Sequence, residues 1–253
     1  MKDIIKKNRI PLLDTVRGIT VISMVVYHTM WDLVYIYGYR FNFYTGNLGY
    51  IWQQSICWTF ILLSGFCWNF GKNKLKRGLT VFIAGLIVSL VTYIFMPSAK
   101  ILFGVLTMLG SMMLITIPLD RMLKKIPHLA GGISSFILFF VTRNCNDGFL
   151  GFEKLNLLRL PKEIYVNHLS AYLGFPPLYF SSADYFSLIP WGFLFLTGYF
   201  LYHIMKDYNL DEKLIKKENI KPLSFISRHS LIIYMLHQPI IYLILEICQQ
   251  ISW

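Results

Sequence analysis

Seven long apolar runs constrain this chain more than any other feature. They lie at roughly 13–36, 50–70, 79–96, 101–119, 129–142, 186–205 and 226–247. A helix of about 20 apolar residues matches the hydrocarbon core of a bilayer. In lipid every backbone N–H and C=O must be satisfied within the chain, so such runs form helices or a closed barrel. A barrel requires alternation of period two, and these runs do not alternate. The expected fold is all-α, a polytopic transmembrane helical bundle. Composition agrees, with 55% hydrophobic and 15% charged residues, where a soluble domain carries about 25% charge. The length suits a single integral membrane domain over 1–253.

The net charge of +11 would suggest nucleic acid in a soluble protein. Here the cations sit in short blocks between apolar runs, which is a topology signal and argues against a nucleic-acid partner. "MKDIIKKNR", "GKNKLKR", "DRMLKK" and "KDYNLDEKLIKKENIK" hold sixteen Lys and Arg and fall on one side of a seven-span arrangement. Arg40, Lys100, Arg143, Lys154, Arg159 and Lys162 fall on the other. This bias puts the N-terminus in the cytoplasm. The basic start leads into a long helix with no small-residue cleavage site, so no cleavable signal is expected. The segment from about 143 to 185 is the longest outer one. It is expected as a surface loop or as a fold-back against the bundle. If its apolar patch at 168–180 crossed, the count would be eight, and Pro176 and Pro177 argue against that. The cysteines Cys57, Cys67, Cys145 and Cys248 lack metal-ligand spacing, and no metal is expected.

The first run carries ionisable residues that lipid would not tolerate singly. In "LLDTVRGITVISMVVYHTMWDL", Asp14, Arg17, His28 and Asp32 fall within about 60° of arc at 100° per residue. His28 lies about 16 Å beyond Arg17 along the axis, and Asp32 one turn further. A polar stripe of this kind faces protein or a water-filled cavity. Blander readings exist for each residue. Asp14 and Arg17 can form an interfacial pair with Arg17 snorkelling, His28 can be a bundle hydrogen-bonder, and Asp32 an interface residue. Gly18 permits a close helix contact or ligand approach.

The last run, "SRHSLIIYMLHQPIIYLILE", begins with Arg228 and His229. Ser230, Tyr234 and His237 follow at spacings of four and three, so they share a face. Pro239 removes a backbone donor just after His237, and a bond from His237 to irregular backbone is the alternative to a catalytic role. Asp184 precedes the sixth run, where it can cap that helix or line an outer vestibule. On these residues alone, acyl transfer, small-molecule or proton-coupled transport, and a scaffold remain open. Neither an inverted repeat nor paired broken helices favour transport.

The same stretch, with "FGVLTMLGSMMLI", "SADYFSLIPWGFLFLTG" and "RHSLIIYMLHQPI", resembles bacterial membrane proteins of the heparan-alpha-glucosaminide N-acetyltransferase catalytic-domain type, within the wider transmembrane acyltransferase superfamily. The resemblance runs through the chain in order. The spacing of Arg17 and His28 also resembles that of the superfamily's polysaccharide O-acyltransferases. It implies a multi-pass protein of the bacterial plasma membrane that moves an acetyl group from cytoplasmic acetyl-CoA, or another acyl-CoA, to a hydroxyl or amine of a sugar or glycolipid. It leaves room for a homo-oligomer. On this reading His28 is the general base, Asp32 orients its imidazole, and His237 is a second proton-transfer group or oxyanion stabiliser. Arg17 and Arg228, with Asp14 beside them, belong to the CoA end. Tyr234, Ser230 and Asp184 line or support the cavity. Relatives often carry histidine where this chain has Thr107, a departure at a binding or supporting position.

Overall fold

The computed structural model describes residues 10–210 and 220–251. Each of the seven apolar runs is largely helical. The expected basic segment 1–9 and residues 211–219 lie outside the described residues. The chain divides into two compact units, one of residues 1–60 and 209–253, the other of 61–208.

The first unit is built on α1 (Pro11–Tyr35), α9 (Lys221–Arg228) and α10 (Ser230–Ile251). Pro11 stands at the start of α1, where its missing N–H costs nothing and its fixed φ suits a helix. A four-residue helix, α2 (Asn42–Thr45), leads into α3 (Asn47–Trp68), whose first part belongs here. The Tyr44 hydroxyl donates to Tyr27 O at 3.2 Å, and Trp52 Nε1 donates to Ser23 Oγ at 2.7 Å. These bonds tie the α2–α3 corner to α1. The last apolar run does not begin at 226 as its hydropathy suggests. His229 ends α9, its N–H bonded to Phe225 O and Ile226 O, and α10 starts afresh at Ser230.

The second unit holds the remainder of α3, then α4 (Lys74–Phe95), α5 (Val105–Leu123), α6 (His128–Val141), α7 (His168–Leu173) and α8 (Leu188–Asp207). Small residues let its helices touch backbone to backbone, the packing that membrane bundles favour. A Cβ on Gly85 of α4 would fall 2.6 Å from Thr107 N of α5, and one on Gly198 of α8 would fall 2.1 Å from Leu62 O of α3. Ile61, Met108, Phe139, Leu194, Phe195, Tyr199 and Phe200 fill the core. At one end Asp120 accepts from Tyr199 Oη and Lys124 Nζ, each at 2.7 Å.

Among the described residues, four helices are long and apolar enough to cross a membrane: α4, α5, α8 and the Ser230–Gln250 part of α10. Ile83, Leu86, Ile87, Leu90 and Val91 lie exposed along α4, as a lipid-facing surface requires. The six residues of α7 extend only about 9 Å, so the patch at 168–180 is too short to cross. Segment 143–185 folds back on its unit and departs from a purely helical reading. It contains an antiparallel hairpin of β1 (Phe149–Phe152) and β2 (Leu155–Arg159). Asn144 Nδ2 braces the hairpin by donating to Glu153 O at 2.8 Å and Asn156 Oδ1 at 2.9 Å. Asn146 Nδ2 donates to Gly174 O and Ser187 Oγ, joining the loop to the start of α8. Buried beside it, the Cys145 thiol is pushed up to about 12 by loss of solvation.

Candidate active site

The first unit brings most of the sequence-identified residues together along α1, in two groups. At one end the Asp14 carboxylate accepts from Ser227 Oγ at 3.1 Å and from Ser224 Oγ at 3.4 Å. Both serines are buried on α9. Their spacing of three puts them on one helix face, and Gly18 lets that face approach. A Cβ on Gly18 would lie 2.5 Å from Leu223 O. Asp14 is thereby committed to α9, and no ion pair joins it to Arg17 among the described residues. Arg228 is exposed at the end of α9. Its Nε donates to Ser224 O at 3.1 Å, which orients the guanidinium.

The second group lies about 21 Å further along α1. The rings of His28 and His237 are 4.8 Å apart, one from α1 and one from α10. His237 is buried, and its Nδ1 lies 2.6 Å from Tyr234 O. A carbonyl can only accept, so Nδ1 carries the proton and Nε2 of the neutral ring holds the lone pair. Nε2 is itself buried without a hydrogen-bond partner among the described residues. The bond runs to regular backbone one turn before Pro239, within α10. The Tyr234 ring lies 5.5 Å from the His237 ring at a tilt of 57°, so the two side chains are neighbours on α10.

Asp32 is fully buried and its Oδ1 accepts from Gln238 Nε2 at 2.7 Å. The expected bond from Asp32 to His28 is not formed among the described residues. Spacing on a single helix places two side chains on one face, but a donor from the facing helix takes the carboxylate. Gln238 is the residue that sequence reasoning left out, although it follows His237 directly. The signal for it was the need of a buried carboxylate for a donor. Ser224 and Ser227 went unnoticed for the same reason at Asp14.

Two expected residues belong to the second unit. Thr107 is buried, and its hydroxyl donates to Gly104 O at 2.8 Å. Asp184 Oδ2 accepts from Val105 N at 3.4 Å. It therefore caps α5, and the helix that follows it in sequence starts at Leu188 without a side-chain cap. A carboxylate at the N-terminus of α5 also suits the helix dipole.

A family model described as heparan-alpha-glucosaminide N-acetyltransferase, catalytic, matches residues 9–239. No curated protein and no solved structure matches the chain.

Proposed function

The chain belongs to the heparan-alpha-glucosaminide N-acetyltransferase catalytic family, and from that membership we propose how this multi-pass membrane protein performs acetyl transfer. The donor is cytoplasmic acetyl-CoA. The acceptor is a hydroxyl or amine of a sugar or glycolipid reached from the outer side. The working arrangement is one domain of seven spans in the plasma membrane with its N-terminus in the cytoplasm, an orientation supported by the sixteen cations on that side against six on the other.

The observation that carries the site assignment is the pair of histidines with a free lone pair on His237 Nε2. His237 takes the proton of the acceptor O–H or N–H as that atom attacks the thioester carbonyl. The new C–O or C–N bond forms, the C–S bond breaks, and the proton taken by His237 passes by way of the neighbouring His28 ring, 4.8 Å away, to the departing CoA thiolate, which returns both histidines to their starting state. The sequence alone favoured His28 as the base, and the Nδ1 bond to Tyr234 O favours His237. Arg17 and Arg228 hold the CoA phosphates at the other end of α1. Asp14 supports them by fixing α9 through its two serines. The phosphopantetheine arm bridges the separation between the two groups. Ser230 and Tyr234 line the α10 face, and Thr107 and Asp184 stabilise the start of α5.

Calorimetric titration of acetyl-CoA into protein in nanodiscs tests this division of labour. Wild type and His28→Ala should bind alike, and Arg17→Ala should bind about tenfold more weakly, the loss of one charge-assisted contact. Equal binding by Arg17→Ala, or none by folded wild type, would refute the donor-end assignment.

A further inference from the structure

The Asp32 carboxylate is fully buried, and no cation pairs with it among the described residues. Gln238 Nε2 satisfies Oδ1, while Oδ2 is buried without a partner among the described residues. That single bond also sets the amide of Gln238. A carboxylate only accepts, so the NH2 end faces Asp32 and the carbonyl Oε1 is turned away from it. Among the described residues Oε1 is likewise buried and unpartnered, as is His237 Nε2 on the neighbouring residue. Buried polar atoms of native proteins normally find partners. Three unpartnered atoms on Asp32 and the adjacent pair His237–Gln238 therefore call for an external one.

All three atoms are hydrogen-bond acceptors. Water could satisfy them, but so uniform a set is complementary to a ligand rich in donors. The transfer reaction itself needs one donor, the acceptor O–H or N–H aimed at His237 Nε2. Oδ2 of Asp32 and Oε1 of Gln238 remain for another. We propose that Gln238, together with Asp32, is a specificity-determining residue that reads a second O–H or N–H donor flanking the group to be acetylated, so that amino alcohols and vicinal diols are selected over molecules with one donor. The inference rests on the acetyl-transfer reading above. It gives Asp32 a task in acceptor binding in place of orienting His28.

A minimal pair of probes tests it. Trans-2-aminocyclohexanol carries two flanking donors, and cyclohexylamine has the same ring with one. With protein in nanodiscs and saturating acetyl-CoA, wild type should prefer the amino alcohol by about 10- to 100-fold in kcat/KM, the effect of one hydrogen bond to a charged or buried group. Gln238→Met keeps the length of the side chain and removes both polar atoms. It should collapse the preference to within about threefold of unity, mainly through the KM of the amino alcohol, leaving the KM of acetyl-CoA unmoved. Asp32→Asn is the second variant. It can still accept from Gln238 through Oδ1, but presents a donor where Oδ2 was, and it should collapse the preference as well. A preference absent in wild type, or untouched in both variants, overturns the proposal while acetyl transfer stands. A wild type that binds acetyl-CoA and acetylates neither probe also overturns it. Failure to bind acetyl-CoA at all would instead remove the transferase reading on which it rests.

Discussion

Replacing Gly18 by alanine perturbs the contact on which the donor end of the site is built. A Cβ there would lie 2.5 Å from Leu223 O and 3.0 Å from both Leu223 C and Cα. Ordinary contact begins at 3.4 Å, so α1 and α9 must part by roughly 0.9 Å. Every clashing atom is backbone, and no side-chain rotation relieves it. A movement of that size stretches the 3.1 Å bond from Ser227 to Asp14 to about 4 Å, beyond hydrogen-bonding range. Overpacking costs about 1–3 kcal/mol. A hydrogen bond to a charged group is worth about 1.5–3 kcal/mol, at the low end here because Asp14 is half-buried. Alanine returns up to about 1 kcal/mol in helix propensity. The net loss is about 2–3 kcal/mol, a fall in Tm of roughly 4–12 °C for a chain of this size. The assay is thermal unfolding of the purified protein in detergent, followed by tryptophan fluorescence. Gly132→Ala is the control. Its Cβ would meet Ile204 Cδ1 at 3.2 Å, the movable end of a side chain, so its Tm should stay within about 3 °C of wild type. An unchanged Tm in Gly18→Ala, or an equal fall in both variants, would refute the reasoning.

Thr107→His places a larger ring at a site only 2% exposed. It should cost about 1–3 kcal/mol by overpacking, read as a lower Tm. Asp184→Ala removes an acceptor from the first N–H of α5, and a loss of about 1 kcal/mol is expected in the same measurement. The buried Cys145 should resist maleimide at pH 8 in the folded protein and react once the chain is unfolded in dodecyl sulfate, as mass spectrometry of the labelled peptides would report. The Cys145 thiol titrates near 12 when folded and about 8.5 when unfolded. Between those values the unfolded chain has lost a proton that the folded chain keeps. Its stabilising contribution is complete below the window and declines as pH rises through it, visible as a falling Tm.

The helices were legible because lipid leaves the backbone few choices, and hydropathy reports that constraint directly. The polar stripe of α1 was legible for the same reason, since a charge in lipid has to face something. What faces it was not. Asp14 turned out to meet Ser224 and Ser227, and Asp32 to meet Gln238. Those partners lie more than 200 positions away, and periodicity within one helix carries no information about them. The break at His229 was hidden because α9 is short and its polar residues read as a membrane-interface flank. The β1–β2 hairpin escaped notice because Leu155, Leu157 and Leu158 do not alternate cleanly with polar residues. Asp184 looked like a cap for the helix after it and caps α5 instead, a choice decided by tertiary folding of the intervening loop.

The most direct test of the account is acetyl-CoA-dependent release of the CoA thiol in nanodiscs, with trans-2-aminocyclohexanol as acceptor, for wild type and His237→Ala. Loss of a general base should lower kcat by about 10²- to 10⁴-fold, while calorimetry shows acetyl-CoA binding intact. Turnover by His237→Ala at the wild-type rate would contradict the central claim that His237 Nε2 takes the acceptor's proton.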